Sequence, residues 1–172
     1  MIYTIINLIV TFSKIHPYLS LILITTLPIT ELRASIPYGI LALNLPWLKV
    51  FAICVLFNIL IGALLYLLIG KIIWLFTRIK FIDKLYNKYV EKNQKKIKKY
   101  IEKYGELGIA IFIGIPLPGS GVYTGSIIAY VLGLKYKKFI IANIIGVLIA
   151  GTIVTIITLS GSGIFNVFLK GI

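Results

Sequence analysis

Apolar, uncharged runs divide the chain at residues 1–13, 15–30, 34–48, 50–70, 107–134 and 139–169, with short polar or basic stretches between them. A helix needs roughly 20 apolar residues to cross about 30 Å of hydrocarbon. Residues 50–75, whose single charge Lys71 sits close enough to one end to snorkel, meet that length, and so do residues 139–160, which carry no charge. Both read as transmembrane helices, and Gly161-Ser162-Gly163 is expected to end the second.

The other long stretches are interrupted by helix breakers. Residues 107–134 contain Pro116-Leu117-Pro118-Gly119-Ser120-Gly121, with an apolar arm on either side. At ~1.5 Å per residue these arms reach about 14 Å and 16 Å, each half a membrane. Near the start, residues 18–27 form one such arm, Pro28 to Pro37 the break and residues 38–45 the other arm. Two re-entrant hairpins are predicted. Irregular backbone at that depth needs protein or a water-filled cavity to satisfy its amides, so the two breaks are expected to lie against each other or around a cavity.

A shift of 89 residues places Leu43 on Leu132, Leu45 on Leu134, Lys49 on Lys138 and Gly62 on Gly151. One span separates the two hairpins, so they open to opposite sides, which predicts an inverted repeat with its site near the midplane. The expected fold is therefore an all-α integral membrane protein. Residues 1–14 form an N-terminal apolar helix, 15–77 a hairpin plus span, 78–106 a basic connector and 107–172 a second hairpin plus span.

Composition agrees: of 172 residues 59% are apolar and 13% charged, about half the charged fraction of a soluble domain. The net charge of +13 is concentrated in the connector, where ten Lys/Arg lie opposite an apolar stripe through Ile82, Tyr86, Tyr89, Ile97, Ile101 and Tyr104. That is the pattern of an amphipathic helix on anionic headgroups. With no aromatic nucleic-acid platform beside it, no nucleic-acid partner is expected. The excess of basic residues predicts a multi-pass protein of the cell membrane with the connector and Lys135, Lys137 and Lys138 cytoplasmic, and Lys49 and the C-terminus outside. Residues 1–13 lack the basic start and small-residue cleavage site of a removable signal. Cys54 reads as a small buried apolar residue.

Glu31 and Arg33 are the only charges inside a membrane segment away from its ends. An ionisable group there costs at least ~2.5 kcal/mol, so it marks a candidate substrate or coupling-ion site. In an unwound break, residues two apart project to the same side, which would let the pair share a site. An ion pair joining the hairpins is the structural alternative. Facing it, Ser120, Tyr123 and Thr124 offer hydroxyls and Gly119, Gly121 and Gly125 backbone amides, a combination suited to phosphate or carboxylate. Asn58 and Asn143, one per span, could satisfy broken backbone or bond between helices, and His16 reads as interfacial. No metal-ligand cluster, nucleophile with base or phosphate loop occurs, so neither catalysis nor a cofactor or metal is expected.

The runs Glu31-Leu32-Arg33-Ala34-Ser35-Ile36-Pro37-Tyr38-Gly39-Ile40 and Pro116-Leu117-Pro118-Gly119-Ser120-Gly121-Val122-Tyr123-Thr124-Gly125 resemble the small multidrug export protein family, a distant relative of the DedA membrane proteins. The resemblance covers most of residues 15–160. It implies a compact transporter-like fold with two re-entrant hairpins, and DedA relatives are implicated in moving polyprenyl-phosphate carriers with acidic and arginine residues in both hairpins. Glu31 and Arg33 match the first hairpin in kind; the second here has neither an arginine nor an acidic residue.

The function expected is ion-coupled export or flipping of an amphipathic, lipid-phosphate or other, substrate. A small multidrug exporter and a non-transporting scaffold are the alternatives. The partners implied are membrane lipids, the substrate and a coupling proton or sodium. Assembly into a homo-oligomer stays open.

Overall fold

The computed structural model describes residues 16–77, 105–116 and 120–170, and among these every regular element is helical. In chain order they are α1 (Pro17–Thr25), α2 (Glu31–Pro37) with a π-helical turn (Tyr38–Ala42), α3 (Trp47–Thr77), α4 (Gly105–Gly114), α5 (Val122–Val131) and α6 (Tyr136–Lys170). The N-terminal apolar segment 1–14 and nearly all of the basic connector lie outside the described residues.

Among the described residues two helices are long and apolar enough to cross a membrane, over Trp47–Ile69 and Tyr136–Gly161. On α3, Leu56, Leu60, Leu64 and Leu67 form an exposed stripe, and on α6 Ile141, Ile145, Ile149 and Ile156 do the same. Apolar ridges of that length on a soluble protein would aggregate; in hydrocarbon they are the outer surface. The chain is a membrane protein. Helix α6 runs on through Gly161-Ser162-Gly163 to Lys170, against the expectation that this sequence would end it. A glycine costs a helix about 1 kcal/mol. Glycine keeps its backbone N–H, so the hydrogen-bond ladder can pass through both positions unbroken and the helix continues.

The chain divides into two compact units. The first takes in residues up to Asn58 and from Leu148 on, and so contains the first hairpin, the start of α3 and the end of α6; the second, Ile59–Val147, contains the second hairpin, the rest of α3 and the start of α6.

In the first unit α1 packs against α2 and its π-turn. The turn between them, residues 26–30, is largely self-satisfied: Thr26 and Leu27 N–H bond the carbonyls of Ile22 and Ile24, Glu31 N–H bonds Leu27, and the hydroxyls of Thr26 and Thr30 donate to Leu23 (2.9 Å) and Ile24 (2.6 Å). Two threonines in a five-residue turn thereby supply from within the hairpin part of what the sequence had assigned to neighbouring protein or a cavity. The break is shorter than Pro28 to Pro37: Pro28 lies in the turn, but Pro37 sits inside α2. Proline removes one i→i−4 bond and crowds the carbonyl four residues back, and the wider π-turn that follows, with Leu43 N–H bonded to the Tyr38 carbonyl (3.1 Å), absorbs that crowding without ending the helix. The start of α3 meets the end of α6 at Gly151, where a Cβ would fall 2.8 Å from Val55 and 3.2 Å from Phe51.

In the second unit, α5 ends in a cap in which Leu134 N–H bonds Ala129 O (2.9 Å), Gly133 N–H bonds Tyr130 O (2.9 Å) and Gly133 takes φ +71°. Eighty-nine residues earlier, Asn44 has φ +51° at the end of the first hairpin, and Trp47 and Tyr136, also 89 apart, each open a long helix. Only glycine takes this conformation freely, and asparagine comes next. Gly133→Ala is therefore expected to lower stability by about 1 kcal/mol. Thermal unfolding in detergent, with the open, right-handed Gly161→Ala as reference, measures it.

Candidate functional site

Glu31 opens α2 with φ +44°, the left-handed region that L-residues avoid, and is buried although it lies in a hairpin of short apolar arms. Holding a non-glycine residue there costs about 1–3 kcal/mol. The conformation arises because the chain reverses over residues 26–30 and must enter α2 at once, with Glu31 N–H already tied to the Leu27 carbonyl.

Arg33 lies two residues on, half-buried, and feels the charge of Glu31. Because α2 is helical from Glu31, the pair does not project to one side as an unwound break would have allowed; residues two apart in a helix are about 200° apart around its axis. Pro37 has no N–H to continue the i→i−4 ladder, so the regular helical bonding is interrupted four residues after Arg33. The first hairpin thus gathers a buried carboxylate and a guanidinium within one turn of helix.

Beside them lies a cluster the sequence did not reveal. Thr25 Oγ1 donates to the Leu21 carbonyl (2.7 Å) and shares a hydrogen bond with Ser35 Oγ (2.8 Å), and Ser35 Oγ lies 3.2 Å from Cys54 Sγ. All three side chains are fully buried, one each from α1, α2 and α3. Cys54 is buried as expected, but among hydroxyls rather than as a plain hydrocarbon filler. Gly39 completes the packing, since a Cβ there would fall 2.8 Å from Val50 and 2.9 Å from Leu21. Ser35→Ala is expected to cost about 1 kcal/mol, the usual worth of a hydrogen bond between membrane helices. Thr152→Ala, which removes an exposed hydroxyl bonded only to its own helix, should change the unfolding midpoint far less.

In the second hairpin, Ser120 is buried and donates to the Ile115 carbonyl (2.6 Å), bridging the break from one arm to the other. Gly121 is the extended residue before α5, and Tyr123 and Thr124 stand half-buried in its first turn. Pro116 ends the described part of the first arm, while Pro118 and Gly119 lie outside the described residues. Ser120, Tyr123 and Thr124 thus share one helix start. Glu31 and Arg33 belong to the other unit, so each group is placed within its own hairpin.

Asn143 Nδ2 donates to the Ile59 carbonyl (3.0 Å), tying α6 to α3, and its amide lies where a Cβ on Gly62 would be, 2.7 Å away. That is the interhelical role, not repair of a broken hairpin. Asn58 is buried with its Oδ1 unbonded, as are Asn143 Oδ1 and Thr155 Oγ1. His16 is exposed just before α1, in keeping with an interfacial place. Among the described residues no three His, Cys, Asp or Glu side chains come together as a metal site would require.

Compared with known families, residues 31–153 match the one described as "Putative small multi-drug export protein". That span is more than two thirds of the 172 residues and opens on Glu31. The chain belongs to this family. No curated protein and no solved structure matches it. In this small multidrug export family member the matched region runs from α2 into α6, and so takes in the buried carboxylate, the arginine, Cys54 and the second hairpin.

Proposed function

We propose that this family member is an ion-coupled membrane transporter that exports or flips a small amphipathic substrate, with Glu31 as the coupling-ion site and Arg33 as the partner of an anionic group. The observation that carries this is Glu31 itself. A carboxylate is kept buried, at an unfavourable φ, in a hairpin whose arms are too short to cross a membrane, two residues from a half-buried arginine. A residue that costs this much in backbone strain and desolvation earns its place only by chemistry. A transport role, not a catalytic one, is the reading adopted.

The arms α1, α4 and α5 are nine or ten residues long, about 15 Å at 1.5 Å per residue, and so fit hairpins that enter and leave by the same face. An inverted repeat is supported by the make-up of the two units. Each holds one hairpin, the start of the long helix that follows it and the end of the other long helix. Equivalent positions also agree: Gly62 receives Asn143, and its counterpart Gly151 receives Phe51 and Val55, which flank Cys54, the counterpart of Asn143. Such repeats alternate access by exchanging the conformations of their halves.

The proposed topology places the connector and Lys137 in the cytoplasm and Lys49 outside. Cysteines introduced at Lys49 and Lys137 in a Cys54→Ala background should label from outside at position 49 alone with an impermeant thiol reagent. Equal labelling of both would remove the second re-entrant hairpin.

Flux into liposomes, comparing lipid phosphates with cationic drugs, with and without a pH gradient and with and without a sodium gradient, tests the function. Gradient-driven movement of either substrate supports transport and names its class. Movement of neither under any gradient would leave a membrane scaffold as the reading.

A further inference from the structure

The two loops that lead into the long helices have the same backbone design but opposite chemistry. In register, Asn44-Leu45-Pro46-Trp47-Leu48-Lys49 corresponds to Gly133-Leu134-Lys135-Tyr136-Lys137-Lys138. Each begins with a left-handed residue and reaches an exposed aromatic, Trp47 or Tyr136, at the first residue of its helix. Where the first loop has Pro46 and Leu48, the second has Lys135 and Lys137, both exposed.

The second loop is also rigidly held. The Tyr66 hydroxyl donates to the Leu134 carbonyl, and the Tyr66 ring stacks on the fully buried Phe139 at 4.6 Å between centroids, with Tyr130 and Tyr136 at 5.7 and 5.6 Å. Lys138 is tied to Glu106 at 2.9 Å, which leaves Lys135 and Lys137 as the cations of the patch with no acidic partner among the described residues. This patch stands where the apolar window of α6 begins, at Tyr136, the depth at which a lipid phosphate lies against a membrane helix.

We propose that Lys135 and Lys137, presented beside Tyr136 by this rigid loop, form a binding site for the headgroup of an anionic phospholipid, and that the corresponding loop at Trp47 does not. A held backbone favours a retained lipid over a diffuse counterion cloud, because both lysines are anchored on the same fixed loop before the lipid arrives and the tyrosine ring lies at the glycerol level. The occupant is a lipid and not a soluble phosphate because the patch adjoins the exposed apolar flank of α6, where Ile140 is half-buried and Ile141 and Ile144 are exposed for acyl chains.

Tryptophan quenching by brominated lipids reads each loop separately, apart from the basic connector. Two single-tryptophan proteins are needed: Trp74→Phe, which keeps Trp47, and Trp47→Phe with Trp74→Phe and Tyr136→Trp. In vesicles of phosphatidylcholine with a minor share of brominated lipid, position 136 should be quenched more strongly by brominated phosphatidylglycerol than by brominated phosphatidylcholine. Position 47 should not distinguish the two. Adding Lys135→Gln and Lys137→Gln should lower the local preference at 136 about twenty-five-fold, since each lysine near a headgroup contributes about a factor of five.

Equal quenching at 136 by both lipids would overturn the site. A preference that survives the double substitution would place its cause elsewhere in the chain and overturn it too. Loss of the preference on adding millimolar inorganic phosphate at constant ionic strength would make the ligand a soluble anion instead of a lipid. Far-UV circular dichroism of the double variant should match the parent, as both lysines are exposed.

Discussion

Glu31→Gln is expected to abolish the dependence of flux on the driving ion while leaving the protein folded in the membrane. The two side chains have nearly the same shape, and glutamine accepts the left-handed conformation at position 31 no worse than glutamate. What changes is that the amide cannot alternate between a charged and a neutralised state. A buried, uncompensated carboxylate costs several kcal/mol, so a transport cycle that closes the site around Glu31 must neutralise it at each turn. The glutamine protein is locked in the neutral form and should bind substrate without responding to the gradient.

Arg33→Lys makes a paired test. The charge remains, but the planar fork suited to phosphate or carboxylate is lost, so transport of an anionic substrate should fall far more than that of a cationic one. If both variants instead unfold several degrees lower and keep per-molecule flux and its gradient dependence, the pair is a structural staple. The transport site would then lie elsewhere.

Gly146→Ala should give the largest loss of stability of any single methyl added to the described part of the chain. A Cβ at this position would fall 2.7 Å from the backbone oxygen of Ala110 and 2.7 Å from Ile113 Cβ. A flexible side-chain tip could move aside; a helix carbonyl cannot without shifting α4. The expected cost is at the upper end of the ~1–3 kcal/mol typical of overpacking. Gly161→Ala is the contrast, with nothing within 4 Å of the added carbon, and should stabilise by up to about 1 kcal/mol through helix propensity alone. Thermal unfolding in one detergent orders the two variants, and the reverse order would refute the close packing of α4 on α6.

The long helices, the short arms and the two breaks were legible because each rests on local chemistry: uninterrupted apolar length in one case, proline and glycine in the other. Pro37 misled for a physical reason. In water a proline inside a seven-residue helix would end it, whereas in hydrocarbon the lost bonds of an ended helix outweigh the one bond proline removes, and the π-turn after it takes up the strain. Gly161 misled because glycine weakens a helix without removing a bond from its ladder. The Thr25, Ser35 and Cys54 cluster was not legible, since its members lie 10 and 19 residues apart and meet only when three helices pack. Three small polar residues in otherwise apolar helices were the available signal, and without a register for α1 and α2 against α3 they could not be joined. Asn143 was visible as a polar residue in a span, but its partner on Gly62 and Ile59 depends on the crossing of two helices 84 residues apart along the chain.

The first compact unit is not a continuous piece of chain, since it needs both the start of α3 and the end of α6, whereas the second, Ile59–Val147, is one uninterrupted stretch. During synthesis the first hairpin therefore enters the bilayer long before the helix that completes its unit has been made. Until then Gly151 has not arrived to cover Phe51 and Val55, and the Ile59 carbonyl still waits for Asn143. The half-made protein is an open intermediate, exposed to lipid, to the insertion machinery and to membrane proteases. Two fragments split within the connector should each be degraded when expressed alone, and should protect one another when expressed together.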